Sequence, residues 1–94
     1  MDSIFSQKGA TVNVAVTASA QTLTFSTTQP MDNVRLANVG TQTVFVNFQA
    51  TATVNNGIPI LAGTVELFSA IPGSLSCIAS AVGSTLYATV GQGA

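Results

Sequence analysis

Apolar and polar residues alternate along most of this chain with a period of two. Val12, Val14 and Val16 are separated by Asn13 and Ala15, and Leu23 and Phe25 by Thr24. A strand sends successive side chains to opposite faces, so each such run offers one face for burial. Val34 and Leu36 flank Arg35 in the same way, and Val44, Val46 and Phe48 share a face that leaves Phe45 on the other. Val65 and Leu67 are expected inward, with Glu66 pointing out between them. Runs 75–79 and 85–90 supply the last two strands. No segment carries a helical stripe, and the Val, Thr and Ile bias agrees with strand.

The breaks between runs are turn chemistry. Pro30, Asn55-Asn56-Gly57, Ala62-Gly63, Pro72-Gly73 and Gly83 punctuate the pattern. Asn38-Val39-Gly40-Thr41 reads as a tight turn, so the strands on either side of it are expected to form a hairpin. Pro59 within Ile58-Pro59-Ile60 cannot donate to a ladder, which restricts that run to a sheet edge or an extended loop. About seven to eight short strands result, at a spacing typical of a sandwich or barrel. The expected fold is all-β: a single small antiparallel β-sandwich or jelly-roll-like barrel over residues 11–94, with residues 1–10 as an N-terminal arm or the lead-in to the first strand.

That N-terminal region also imitates a secretory leader. Lys8, the stretch 9–17 and Ala18-Ser19-Ala20 stand where a basic region, an apolar region and a cleavage site would stand. Asp2 spoils the basic region, and the alternation of Val12, Val14 and Val16 belongs to a strand. A strand is the expectation here. No apolar run approaches the roughly 18 residues of a membrane-spanning helix.

Composition adds a need for partners. Of 94 residues only 5% are charged, against about 25% in an ordinary soluble domain, while 47% are apolar. The charged residues are Asp2, Lys8, Asp32, Arg35 and Glu66. A small domain buries a modest share of its surface and usually relies on disulfides, metals or other chains. Cys77 is the single cysteine and there is no histidine, so neither an internal disulfide nor a Cys/His metal cluster is available. Association with further chains is the remaining route. Nucleic acid is an unsuitable partner, because Lys8 and Arg35 make no basic stripe. The same shortage argues against anionic membranes.

Catalytic equipment is missing from the residue types themselves. Without histidine, the Ser-His and Cys-His nucleophile systems are excluded. Lys8 precedes the first strand, and Asp2, Asp32 and Glu66 read as solvated surface acids. Cys77, at mid-strand among small and apolar neighbours, reads as a buried inert thiol. The glycines precede no lysine in a phosphate-loop pattern. The chain is therefore expected not to be an enzyme, with no catalytic, cofactor or metal residues. The positions singled out are contacts instead. Ile4 and Phe5 lie before the first clear strand and suit, about equally, a cap on the domain's own core or an arm that docks on a neighbour; Arg35 and Phe45 suit an interface or, equally, a solvated strand and the cover of a second sheet face.

One resemblance enters at this point. The stretch Asn33-Val34-Arg35-Leu36-Ala37-Asn38-Val39-Gly40-Thr41-Gln42-Thr43-Val44-Phe45-Val46-Asn47-Phe48 is followed by Ile58-Pro59-Ile60-Leu61-Ala62-Gly63-Thr64-Val65-Glu66-Leu67-Phe68, then by Ile78-Ala79 and by Thr85-Leu86-Tyr87-Ala88-Thr89-Val90-Gly91-Gln92-Gly93. In order and spacing, residues 33–93 resemble small structural proteins of tailed bacteriophages, some of which decorate the capsid exterior. The resemblance implies a capsid decoration (cement) protein, often a homotrimer, bound to the major capsid protein on the outside of the virion. Within the particle, a head-fibre base or a tail adaptor or tip subunit is the alternative. A glycan-binding surface module is a second alternative, weakened by the absence of Trp and by Tyr87 being the only Tyr.

Overall fold

The computed structural model describes residues 6, 7, 10–25, 33–69 and 73–92. Every regular element among them is a strand: β1 (Ser6–Gln7), β2 (Val12–Val16), β3 (Gln21–Thr24), β4 (Asn33–Gly40), β5 (Val44–Asn47), β6 (Ile58–Ile60), β7 (Val65–Ser69), β8 (Ser74–Ala79) and β9 (Ser84–Gln92). They form two antiparallel sheets. Sheet A runs β1/β2, β9, β4, β7, and sheet B runs β3, β8, β5, β6. β1 and β2 both pair with β9, Gln7 opposite Gly91 and Val12 opposite Ala88, so their registers differ by two residues. They occupy one strand position interrupted by a bulge-like offset. Each sheet is then four positions wide.

The pairing order identifies the topology. Counting β1/β2 as the first position, the first pairs with the eighth (β9), the second (β3) with the seventh (β8), the third (β4) with the sixth (β7), and the fourth (β5) with the fifth (β6). One long hairpin rolled over on itself has this pairing, and it is the jelly roll. Both the expected all-β class and its antiparallel sandwich form are therefore observed.

The alternating pattern places the core between the sheets. β8 and β9 bury Leu75, Cys77 and Ala79 and Leu86, Ala88 and Val90. Val34 and Leu36 from β4, Val44 and Val46 from β5, Leu23 from β3 and Ile60 from β6 meet them. A side chain such as Leu36 or Ile60, removed fully from water, contributes about 1.5–3 kcal/mol. Val16 is buried, whereas Val12 and Val14, nearer the end of the edge strand, are half-buried.

Among the described residues Asn38, like Ser84 near it, is a polar exception in this interior. Its Nδ2 donates to the carbonyls of Gln42 and Ile60, each at 2.8 Å. Its backbone N–H donates to Thr64 O, and its backbone carbonyl accepts from the Gly63 N–H. One buried amide thus ties β4 to two connections at one end of the sandwich. Connections 17–20, 41–43, 61–64 and 80–83 gather at that end.

Two expectations are corrected. β4 and β5 do not form a hairpin, because they belong to different sheets. β4 continues through Gly40 and pairs along its whole length, Asn33 to Gly40, with β9. That eight-residue ladder offers more hydrogen bonds than the four-residue β5 could. Val65 and Leu67 do not point inward either. Glu66 lies opposite Leu36 and Phe68 opposite Val34, and directly opposed residues share a face. Phe68 is the largest apolar side chain of β7 and takes the inner face, its ring 5.3 Å from that of Phe48. Glu66 follows it inward by parity and stays exposed only because β7 is an edge strand. An inward-aimed charge of this kind discourages further strands from adding to the edge.

Candidate interaction surface

Sheet A's outer face is assembled from the positions that the core does not use. Cross-strand registers set Asn13, Tyr87, Ala37 and Val65 in one row, and Thr89, Arg35 and Leu67 in the next. Ala15, Thr85 and Val39 make a third. The large apolar members are open to solvent: Val39 is 57% exposed, Val65 48%, Leu67 39% and Tyr87 37%. Arg35 is the single charged side chain among the described residues of this face. A hydrogen bond of 2.7 Å between the Thr11 and Thr89 hydroxyls stiffens its β2 margin. At the end where β4 finishes, Leu61 and Val82 are also strongly exposed. The Thr41 N–H donates to Gly83 O and the Gly63 N–H to Asn38 O, so the turns that carry Leu61 and Val82 adjoin Val39.

Sheet B's outer face is different in kind. Its rows are Thr22, Ser76 and Asn47, then Ile78, Phe45 and Pro59. The β5–β6 connection folds back over them. Asn47 Oδ1 accepts from the N–H groups of Gln49 and Ala50 at 2.8 and 2.9 Å, an Asx-turn that reverses the chain as it leaves β5. Ala52 is buried and donates its N–H to Ser76 Oγ at 2.9 Å, which staples the loop to the sheet. Asn56 Oδ1 accepts from the Thr53 N–H, and Asn56 Nδ2 donates to Thr51 O, bracing the loop internally. Gly57 lies against Phe45 so closely that an added Cβ would fall 2.7 Å from Phe45 Cβ. Beside the loop, the sheet surface forms a cleft of about 420 Å³ bounded by Thr22, Asn47, Phe48, Gln49, Thr51 and Ser74 among others.

The residues singled out as contacts therefore separate. Arg35 stands exposed at the middle of sheet A's outer face. Phe45 is half-buried on sheet B with the Gly57 backbone over it. Ile4 and Phe5 lie outside the described residues. The structure does not bring Phe45 to Arg35, since the two stand on different sheets. Sequence reasoning missed Val65, Leu67 and Tyr87 as partners of Arg35. A signal was present: run 64–68 is apolar on both parities, so one set had to face away from the core.

Cys77 is fully buried, and desolvation pushes its thiol up to about 11, so it is neutral and unreactive near neutrality. Among the described residues no group of three His, Cys, Asp or Glu side chains is placed to hold a metal ion. What sheet A's outer face can do is exclude water against a complementary surface. No family model, curated protein or solved structure matches the chain.

Proposed function

We propose that this chain is a non-enzymatic structural subunit of a virus particle, a capsid decoration protein that binds the outside of a bacteriophage head as a homotrimer and bridges neighbouring capsid subunits. The observation that carries the reading is the bare outer face of sheet A, with Val39, Val65, Leu67 and Tyr87 open to solvent around one charge. Exposed large apolar side chains grouped on one sheet face support a surface that a partner covers. Four strand positions about 4.8 Å apart and a nine-residue central strand rising about 3.4 Å per residue give a face of roughly 19 by 30 Å. With side-chain relief, that area approaches the roughly 800 Å² per partner of a standard stable interface.

The physics suits a cement. A charge-poor contact avoids the desolvation penalty of buried ions. The loop end bearing Leu61 and Val82 adjoins the sheet face at Val39 and adds a second apolar surface, suited to contact between copies around a threefold axis. Three copies held together present three shell-binding faces, and linkage raises the effective concentration of each. Rupture of the shell must then break all three. Jelly rolls build both capsid and lectin domains, so the fold is compatible with this reading without selecting it.

The test is to add the purified protein to phage heads assembled without it and to image them by cryo-electron microscopy. Density repeating across the shell with local threefold symmetry is expected. Density only at one vertex or along the tail would replace decoration by a fibre-base or adaptor role, and bare heads would overturn the virion reading.

A further inference from the structure

We propose that the cleft on sheet B's outer face is a binding site for a neutral carbohydrate. The site lies on the opposite side of the sandwich from the apolar face of sheet A, and it does not depend on the virion reading. Its volume of about 420 Å³ falls within the range of small-molecule sites, about 300–1,000 Å³. None of the side chains that bound it is ionisable. A charged ligand would lose hydration there with no opposite charge in return.

The polar groups fall into two sets with different tasks. Asn47 and Ser76 are committed within the fold, to Gln49, Ala50 and Asn56 and to Ala52 respectively. They hold the loop against the sheet and keep the walls in place before any ligand arrives. The Thr22, Thr51 and Ser74 hydroxyls and the Gln49 side-chain amide border the same cleft and have no side-chain hydrogen bond among the described residues. A hydroxyl both donates and accepts, and so does each hydroxyl of a sugar. Phe48 packs its ring 5.3 Å from that of Phe68 against the core, so it closes the floor of the cleft and leaves recognition to the polar groups. The sequence offered no Trp and placed Tyr87 on the other sheet, so a planar aromatic platform is not what recognises the sugar. Recognition rests on matched hydroxyls in a preformed, uncharged cleft.

The experiment is a titration of ¹⁵N-labelled protein with cellotriose, maltotriose and chitotriose, each neutral, and with sialyllactose as the charged comparison, read by amide chemical shifts. Saturable shifts concentrated at residues 20–22, 47–51 and 74–76 are expected with at least one neutral sugar. The double variant Thr22→Val, Ser74→Ala should weaken that binding about ten-fold or more, as the loss of two hydrogen-bonding hydroxyls implies. Gln49→Ala, on the loop, is an independent variant should the strand changes disturb folding, which the amide spectrum reports. Absence of shifts with every neutral sugar, preference for sialyllactose, shifts centred on sheet A, or unchanged affinity in well-folded variants would each overturn the proposal. The measurement uses free protein, so it can fail while shell binding succeeds, and the reverse.

Discussion

The two outer faces of this jelly roll start from the same strand period and end in opposite states. Sheet B is polar along Thr22, Ser76 and Asn47, and its own β5–β6 loop closes over Phe45 at Gly57 and over Ser76 at Ala52, leaving Val54 and Ile58 exposed at its margin. Among the described residues no segment covers sheet A in this way, and Val65, Leu67 and Tyr87 stay open around Arg35. The difference teaches where to look for a partner. An apolar row that the chain covers itself belongs to stability, whereas an apolar row left open asks for another surface. Sheet B also shows how little is needed to cover a face: one Asx-turn at Asn47, one staple from Ala52 to Ser76, and a glycine where the loop meets Phe45.

The comparison can be broken most severely by charging each face in turn. Val65→Lys with Leu67→Lys places two cations on sheet A's outer face and should weaken binding to phage heads by about a hundred-fold or more. Both positions are exposed, so stability by urea unfolding should change by only about 0.5 kcal/mol per site. The same charge load at Thr22 and Thr24 on sheet B should leave head binding unchanged within about three-fold. Equal losses from the two pairs would show that the faces are not distinct.

A control that touches neither face comes from Cys77. Its folded-state pKa of about 11 is raised above the ordinary 9.0 by burial, so the unfolded chain releases this proton first as pH rises. The stabilising effect is complete below pH 9.0 and is lost as pH climbs towards about 11, a decrease of about 2–3 kcal/mol. Urea unfolding at neutral and alkaline pH checks it, with Cys77→Ala expected to flatten this part of the profile. A Cys77→Ala protein with the same alkaline loss would place the titration elsewhere.

The smallest effect concerns the cover on sheet B. Gly57→Val puts side-chain atoms where the loop backbone meets Phe45 and should cost about 1–3 kcal/mol, as overpacking does. Amide exchange should quicken over residues 48–57, while head binding through sheet A stays as it was. Unchanged exchange would mean that the loop tolerates the extra volume and that its fit over Phe45 is loose.

Most of the fold was legible because most strands are apolar on one parity only. Val34 and Leu36, Val44 and Val46, and Leu75, Cys77 and Ala79 all went where alternation sends them. Run 64–68 was not legible, because apolar groups occupy both parities and only pairing with β4 chooses between Phe68 and the Val65/Leu67 set. The hairpin expected at Gly40 failed for a similar reason. A turn signal marks a reversal of the chain without saying whether the next strand stays in the same sheet. The expectation of a partner could be read from the lack of charge, and Arg35, read equally as an interface or a solvated residue, stands exposed on sheet A's outer face. The cleft could not, because its walls meet only after the loop that follows Asn47 folds back upon β8.

The central claim is that sheet A's outer face is the one that meets the shell. Hydroxyl-radical footprinting of the protein free and bound to phage heads tests it side chain by side chain. The account predicts strong protection of Val65, Leu67 and Tyr87 on binding, with Phe48 and Ile78 on the far side unchanged. Protection of sheet B with sheet A still fully reactive would contradict it.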